Sequence, residues 1–372
     1  MKFWKPTAWR APPWNASREV CALTVFYILL AILLFGVLIL VHEFGHFITA
    51  KLSGVQVNEF SLFMGPAIWK KQKGETLYAL RCIPIGGYCA MEGEDGDSDN
   101  PRAFGNAKVW KRLIILVAGS AMNFLIGFLI TVLVISLSGD YLNTTQIALI
   151  EEGRPFEQVL QVGDEFCSID GERVYVGSDI TMLLDRDDSG IHDLVVIRDG
   201  EKLRLDDVPL KRDYGTGEQK FYGFSIGIEE KTFGGVLSDS WNHCRDFVRM
   251  VRMGLSDLFT GKAGLKDMSG PVGIVSVVTE QSVQSETVGE GVLFVLYMFG
   301  FIAINLAVMN LLPIPALDGG RVVCLLVTAA AEKILRRKLN PKYEAYLNGA
   351  FMILLLAFMA LITFKDIFQL FN

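Results

Sequence analysis

The chain contains the apolar run VCALTVFYILLAILLFGVLILV at residues 20–41, and the pentapeptide HEFGH follows directly at residues 42–46. The run carries no charged residue and is long enough to cross about 30 Å of hydrocarbon as a helix. Three further uncharged runs share this property, at residues 113–139, 291–317 and 346–364. The sequence therefore predicts a polytopic α-helical membrane protein with four spans.

Two apolar stretches have an alternative interpretation. The first run follows basic residues, as the core of a signal peptide does, but it is too long for such a core and no A-x-A cleavage signal follows it. We therefore expect a retained span. The stretch at residues 322–331 is too short to cross a bilayer, so it either continues the third span or lies at the membrane interface.

Composition narrows the class of protein. Of the 372 residues, 51% are hydrophobic and 20% are charged, whereas about a quarter of the residues in soluble domains are charged. The net charge is −6, and a mildly acidic chain without a basic block is a poor candidate for nucleic-acid binding. Six cysteines in a chain of this length, none in a C-x-x-C pair, do not indicate a disulfide scaffold.

The loops between the spans differ in basic residues. Residues 50–112 contain nine Lys or Arg and residues 318–345 contain six, and such an excess marks the cytoplasmic side of a membrane protein. With four spans, these two loops share one side, so residues 140–290 and both termini are expected outside. Four basic residues near the N-terminus oppose this orientation, but they are outnumbered.

The expected outside segment begins with the features of a small β-rich domain. Gly163-Asp164, Asp170-Gly171 and Asp199-Gly200 are turn signals between short runs rich in β-branched residues. From residue 233 to 259 the apolar residues recur at helical spacing, with three arginines off the apolar stripe. This amphipathic helix either packs on the β-rich domain or lies on the membrane.

The first cytoplasmic loop also has strand character. Residues 55–63, 68–71 and 76–83 are separated by Gly65-Pro66 and Lys73-Gly74, which are turn signals. These strands form either a plain hairpin or an edge that an extended peptide can pair with.

The acidic stretch at residues 92–99 follows these strands. It faintly resembles a calcium-binding loop, but it lacks the glycine at the sixth position and has Asn106 in place of the terminal glutamate. We therefore expect a solvated linker.

The pentapeptide His42-Glu43-Phe44-Gly45-His46 has the spacing of a metal site. On a helix the two histidines share one face and can bind the same ion, and Glu43 lies beside them, where it can accept a proton from metal-bound water. The alternative is a pair of histidines at a helix end that contact lipid headgroups. A carboxylate at the membrane boundary is costly without a role, which favours the metal site.

A catalytic zinc ion needs a third protein ligand. His192 and His243 belong to the expected outside segment, on the other side of the membrane from His42 and His46. Three cysteines remain possible but show no ligand spacing: Cys82, Cys89 and Cys324.

Asp318 is the other candidate, since it follows the third span at the same expected membrane face as the two histidines. Pro313 and Pro315 interrupt the helix just before it, and irregular backbone at membrane depth is tolerated where it lines a cavity. The alternative role for Asp318 is that of a turn residue before Gly319-Gly320. Acidic residues at membrane depth are usually functional, which favours the role of a ligand.

Two motifs together resemble the site-2 proteases, a family of intramembrane zinc metalloproteases, with the bacterial regulator-of-sigma-E protease as the nearest type. They are H-E-F-G-H at residues 42–46 and N-L-L-P-I-P-A-L-D-G-G at residues 310–320. The resemblance extends from about residue 28 to the C-terminus. It implies zinc ligands at His42, His46 and Asp318, a general base at Glu43 and a substrate- or oxyanion-binding amide at Asn310.

Two weaker motifs accompany these. Residues 118–124, AGSAMNF, match the A-G-x-x-x-N-F pattern of the family, with Ser120 where many members have proline. Residues 62–66, LFMGP, are similar to G-F-G-P without its first glycine. Neither departure touches an implied ligand.

The outside segment resembles a PDZ domain. Residues 160–171, LQVGDEFCSIDG, are similar to the pattern L-x-x-G-D-x-I-x-x-I-D-G, and Arg198-Asp199-Gly200 is similar to a later hairpin of that fold. The sequence contains a single copy of this pattern.

The expected organisation is an N-terminal extension at 1–19, a first part of the membrane core at 20–139, an extracytoplasmic PDZ-like domain at 140–231, an amphipathic helix with a connecting segment at 232–290, and a second part of the membrane core at 291–372.

The resemblance implies an intramembrane zinc endopeptidase in the bacterial inner or plasma membrane, with its active site near the cytoplasmic face and the PDZ-like domain outside. The implied substrates are single-span membrane proteins, namely a pre-trimmed anti-sigma factor or remnant signal peptides, cleaved in regulated intramembrane proteolysis. The alternatives are a non-catalytic membrane scaffold that binds transmembrane helices, and a metal transporter. The absence of Glu43 or of a ligand residue would favour the scaffold, but all of these residues are present. Polar ligand residues on several spans would favour the transporter, but here they cluster at one membrane face.

Overall fold

The computed structural model describes residues 18–94, 96, 98–187, 189–212, 222–264, 266–336 and 342–370. Residues 1–17 of the expected N-terminal extension lie outside the described residues, as do Arg337 and Lys338 of the second basic loop. The described chain divides into two compact units, which we call the membrane unit (Met1–Ile130 with Val251–Asn372) and the β unit (Thr131–Met250).

The described residues form eight α-helices, one short 3-10 helix (Phe104–Asn106) and eight strands. The helices are α1 (Arg18–Ser53), α2 (Val109–Leu137), α3 (Gly177–Leu184), α4 (Phe233–Thr260), α5 (Pro271–Val283), α6 (Val288–Asn310), α7 (Asp318–Leu335) and α8 (Lys342–Leu370). The strands are β1 (Val57–Lys73), β2 (Thr76–Met91), β3 (Tyr141–Ile150), β4 (Glu165–Ile169), β5 (Glu172–Arg173), β6 (Ile191–Arg198), β7 (Glu201–Pro209) and β8 (Phe224–Glu230).

Four of the described helices, α1, α2, α6 and α8, are long and apolar enough to cross a membrane, as the sequence predicts. The third one ends earlier than the uncharged run that predicts it. The run extends to residue 317, but α6 stops at Asn310 because Pro313 and Pro315 follow and proline cannot continue a helix. A new helix, α7, begins at Asp318, so the expectation that residues 322–331 continue the third span is wrong.

β1 and β2 fold into a bent sheet whose strands are longer than expected. Residues 59–62 of β1 pair on one side with residues 77–80 and on the other side with residues 87–90. The second strand therefore continues through Gly86-Gly87, beyond its predicted end at residue 83. Its last part, residues 87–91, pairs only with β1 among the described strands, so we call it the edge segment.

A buried apolar cluster holds the elements around the candidate metal site together. It contains the end of α1, both strands of the bent sheet, and residues of α2 and α7. Its members are Ala50, Val55, Val57, Cys89, Met91, Phe104, Ile115, Leu116 and Leu325. Burial of apolar surface stabilises such clusters by about 25 cal/mol per Å², so these four elements form one packed body.

The β unit is built on a sheet with the strand order β7-β6-β4-β3-β8, and β5 pairs with β4. Its tight turns lie at the predicted Asp-Gly pairs, where Asp170, Gly171, Asp199 and Gly200 all have positive φ, as the two-residue turns of hairpins require. Asp164 accepts hydrogen bonds of 2.7 Å from both Nε and Nη2 of Arg198. The two stretches that resemble a PDZ domain are therefore joined directly.

The first part of α4 packs on the β unit, in agreement with one of the two alternatives. Arg249 is buried, lies 2.9 Å from Asp179 of α3 and also contacts Asp246. Burial, with the Asp179 carboxylate as a second cause, raises the pKa of Asp246 to about 7. Separating a buried arginine from its carboxylate partners costs free energy, because a charge is left buried and unpaired. The interaction therefore holds α3 against α4.

Candidate metal centre

The side chains of His42, His46 and Asp318 converge on one point. His42 Nε2 and His46 Nε2 lie 3.3 Å apart, and Asp318 Oδ2 lies 3.3 Å from the first and 3.4 Å from the second. The histidines are one turn apart on α1, and Asp318 is the first residue of α7. Within the described part of the chain this is the one group of three such side chains close enough to share an ion.

The spacing of these three atoms matches a tetrahedral zinc site. Zinc binds imidazole nitrogen and carboxylate oxygen at about 2.0–2.2 Å, and two ligands of a tetrahedron at that distance lie about 3.3–3.5 Å apart. Asp318 Oδ2 is also buried without a hydrogen-bond donor of its own. Three ligands leave one position of the tetrahedron for water or substrate, as in catalytic zinc sites.

Backbone of α2 fixes the ring of His46. His46 Nδ1 lies 2.8 Å from the carbonyl oxygen of Ile115, and a carbonyl only accepts, so Nδ1 carries the proton. The lone pair is then on Nε2, the atom that faces His42 and Asp318. Such a partner behind a metal-binding histidine sets both its tautomer and its orientation.

Asn123, also on α2, lies behind His42 as the carbonyl group of Ile115 lies behind His46. It is almost fully buried, and its amide nitrogen Nδ2 lies 3.4 Å from His42 Nδ1, so a half-turn of the amide brings Oδ1 to the same place. If His42 Nε2 is to bind a metal, Nδ1 must carry the proton, and the amide must present its oxygen Oδ1 as acceptor. Asn123 Oδ1 has no other hydrogen-bond partner among the described residues, so it is available for this bond.

The close approach of α1 and α2 depends on glycine at Gly119. A Cβ at this position would lie 2.8 Å from Cε1 of both His42 and His46. Gly45, between the two histidines, is similarly tight, since a Cβ there would lie 2.5 Å from the carbonyl oxygen of Ala118. Small residues allow helices in membranes to approach this closely.

Glu43 lies between the ligand cluster and the bent sheet. It follows His42 on α1, and a Cβ on Gly87 of the edge segment would be 3.1 Å from Glu43 Cγ. The carboxylate arm is therefore in van der Waals range of the backbone of the edge segment. A peptide paired along that segment would therefore lie beside the side chain of Glu43.

Asn310 is placed differently from the other predicted site residues. It is the half-buried last residue of α6, eight positions before Asp318. The described contacts of the ligand cluster do not include its amide. Its assignment as a substrate- or oxyanion-binding group stays a prediction.

The remaining candidates for metal binding lie elsewhere. No cysteine joins the described His42, His46 and Asp318 cluster, and Cys89 is buried in the apolar cluster. His192 and His243 both belong to the β unit, where His192 Nδ1 lies 2.7 Å from Asp170 Oδ2. Asp318 is thus the residue that the structure brings to the two histidines.

Two residues of the acidic stretch at 92–99, which is expected to be a solvated linker, have partners within the fold. Glu92 accepts hydrogen bonds from Asn58 and Ser98, at 2.8 and 2.7 Å. Glu94 is largely buried and pairs with Arg321 of α7. Glu92 and Glu94 thus have polar partners within the fold, whereas Asp99 is exposed.

Comparison with known proteins identifies the family. A model of peptidase family M50 matches residues 30–358, which include the motifs at residues 42–46 and 310–320. The chain belongs to peptidase family M50, the site-2 proteases. It is a zinc metalloprotease and a multi-pass membrane protein, which rules out the alternative of a non-catalytic scaffold.

Several bacterial relatives are similar over nearly their whole length. A Clostridium perfringens protein whose name describes a candidate zinc metalloprotease is 35% identical, and the match covers 92% of this chain and 98% of that one. The regulator of sigma-W protease RasP of Bacillus subtilis is 28% identical, with 91% and 98% covered. The zinc metalloprotease RasP of Bacillus licheniformis is also 28% identical, with the same coverage.

Sequence reasoning missed the residues behind the ligands. The AGSAMNF motif at residues 118–124 contains both Gly119 and Asn123, but its role follows only from the crossing of α2 over α1. The carbonyl of Ile115 leaves no trace in a sequence, because every residue has one.

Proposed function

We propose that the protein is an intramembrane endopeptidase in which His42, His46 and Asp318 bind zinc and Glu43 is the general base. The observation that carries this proposal is the triangle of ligand atoms, 3.3–3.4 Å on each side, at the end of an apolar helix. A bound zinc ion would supply a Lewis acid that lowers the pKa of water towards 7 and polarises a carbonyl group.

The protein's own groups carry the proton and the developing charge. Glu43 accepts the proton of the attacking water and passes it to the leaving amine, which general acid–base catalysis requires. Asn310 donates a hydrogen bond to the carbonyl oxygen as its negative charge develops. Ile115 and Asn123 keep the two imidazoles in the orientation that leaves both Nε2 atoms free for the metal.

The edge segment presents the substrate as an extended strand. A transmembrane helix hides its carbonyls in i→i−4 hydrogen bonds, so a substrate has to unwind before it can be cut. Pairing with the backbone of residues 87–91 compensates for the helical bonds that are lost. The contact between Gly87 and Glu43 supports this site of pairing.

We infer that the substrates are single-span membrane proteins of the bacterial inner or plasma membrane, either a pre-trimmed anti-sigma factor or remnant signal peptides. The name of the Bacillus subtilis relative, regulator of sigma-W protease, supports the anti-sigma factor. The basic residues of the loops at 50–112 and 318–345 support an active site near the cytoplasmic face.

The test compares two variants of the full chain in the presence of tagged single-span proteins. Glu43→Gln should abolish cleavage but keep zinc, because Glu43 is a base and not a ligand. Asp318→Ala should lose both, because two histidines alone hold zinc poorly. Near-normal turnover in Glu43→Gln would refute its role, and unchanged zinc in Asp318→Ala would mean that another residue is the third ligand.

The β unit is proposed as a PDZ-like domain outside the membrane that filters substrates by size. In that role it would exclude proteins with a bulky outside domain and admit trimmed ones; the alternative is that it captures the new C-terminus of a trimmed protein. Deletion of residues 144–211 should let untrimmed substrates be cut if the unit is a filter. A folded, zinc-loaded deletion variant that still cuts only trimmed substrates would end the filter hypothesis.

A further inference from the structure

The loop after the edge segment is tied to the helix that carries Asp318. Arg321 Nη1 donates a hydrogen bond to Glu94 Oε1. Arg321 stands three residues after Asp318, one turn further along α7. The side chains are 13% exposed for Glu94 and 22% for Arg321, so water screens this pair less than an ordinary surface ion pair.

The second oxygen of the same carboxylate holds the edge segment. Glu94 Oε2 accepts a hydrogen bond of 3.1 Å from the backbone N–H of Met91, the last residue of β2. One carboxylate therefore bridges a strand and a helix: its first oxygen binds α7 and its second binds the edge segment. Both elements also meet in the apolar cluster, through Met91 and Leu325.

This bridge lies at the start of α7, where the chain is closely packed: a Cβ on Gly319 or Gly320 would overlap backbone atoms of residues 311–315. The residues between α6 and α7 form an irregular connection, in which Ala316 has a positive φ of 75°, and Asp318 is the first residue after it. The first turn of a helix has few hydrogen bonds of its own to hold it. The Glu94–Arg321 pair ties this first turn of α7 to the edge segment.

We propose that Glu94 and Arg321 are positioning residues that hold Asp318 in its place relative to the edge segment. The inference rests on the proposed role of Asp318 as a zinc ligand. Partners behind a metal ligand commonly change metal affinity or activity by about 10–100-fold when they are removed. The pair acts through Asp318, so its loss should affect zinc retention and the rate constant rather than the binding of substrate.

The experiment measures zinc release into excess chelator, kcat and KM for the full-length protein. Glu94→Gln and Arg321→Met should each release zinc about 10-fold faster and lower kcat to a similar degree, with KM almost unchanged. Arg321→Lys should recover much of the loss, because it restores the positive charge. The double variant should be no worse than either single one, which is the mark of two residues that act as a unit.

Two controls separate this inference from its alternatives. Glu75, in the turn between β1 and β2, pairs with Lys51 of α1 and with Arg102, and none of its described ion pairs is with α7, so Glu75→Gln should keep zinc as the natural protein does. Equal zinc loss in Glu75→Gln, or additive losses in the double variant, would overturn the positioning role. If Asp318→Ala loses zinc while Glu94→Gln does not, this inference alone fails; if Asp318→Ala keeps zinc, the proposed ligand set fails first.

Discussion

Replacing Gly119 by alanine tests the geometry of the metal centre without touching a ligand. The added methyl group would lie 2.8 Å from Cε1 of both His42 and His46, whereas carbon atoms in contact lie about 3.5–4.0 Å apart. The two rings, or α2 itself, must therefore move by about 0.7 Å or more. Zinc ligands tolerate about 0.2 Å of deviation, so a movement of that size breaks the triangle of ligand atoms.

We expect Gly119→Ala to bind zinc at least about 100-fold more weakly and to lose proteolytic activity in proportion. The assay is the zinc content per purified chain after dialysis against a graded series of chelators, followed by cleavage of a single-span substrate. Gly349→Ala is the matched control: Gly349 lies in another apolar helix, and a Cβ there meets nothing within 4 Å. Full zinc content and normal turnover in Gly119→Ala would refute the proposed packing of α2 against the ligands.

Three further predictions concern groups around the site and in the β unit. Asn310→Ala should keep zinc and lower kcat by roughly 10²–10³-fold if Asn310 binds the oxyanion, whereas an effect on KM alone would make it a substrate-binding group. Asn123→Ala should release zinc about 10-fold faster, and Asn123→Asp, which keeps an acceptor for His42 Nδ1, should not; equal zinc loss in both would exclude this bond. Burial and nearby carboxylates raise the pKa of Asp239 to about 6. The folded β unit thus keeps a proton that the unfolded chain releases above about pH 4, and its stability falls as pH rises from about 4 to 6. Asp239→Asn should therefore stabilise the unit by about 3 kcal/mol at pH 8 and have little effect at pH 4, as measured by hydrogen exchange of residues 233–250. The same gain at both pH values would contradict the assignment.

The parts of the fold that follow from composition and spacing were predictable. Four uncharged runs predict four long apolar helices, and the i, i+4 spacing of His42 and His46 predicts a shared face, because both depend on residues close in sequence. Asp318 was a candidate for the third ligand on physical grounds, although three cysteines remained possible. The Asp-Gly turns of the β unit also lie where the sequence predicts them.

The parts that depend on contacts between distant segments were not predictable. The end of α6 at Asn310 is set by Pro313, yet hydropathy alone extends the span to residue 317. Strand β2 runs through Gly86-Gly87, which by local preference is a turn signal, because pairing with β1 overrides that preference. The role of Glu94 depends on α7 packing beside a loop more than 200 positions earlier in the chain.

The length of α1 determines how water, the second reactant in hydrolysis of a peptide bond, reaches the site. His42 follows Val20, the first residue of the apolar run, by 22 positions, which is about 33 Å of helix, against a hydrocarbon layer of about 30 Å. For an upright helix, the proposed ligands would therefore lie at one boundary of that layer instead of at its centre. Each bond that is cut consumes one water molecule, and at this depth it can come from the adjacent aqueous phase without a channel across the bilayer. The peptide bond of the substrate must therefore be close to the aqueous boundary when it is cut. Cleavage sites near one end of a substrate helix meet this condition.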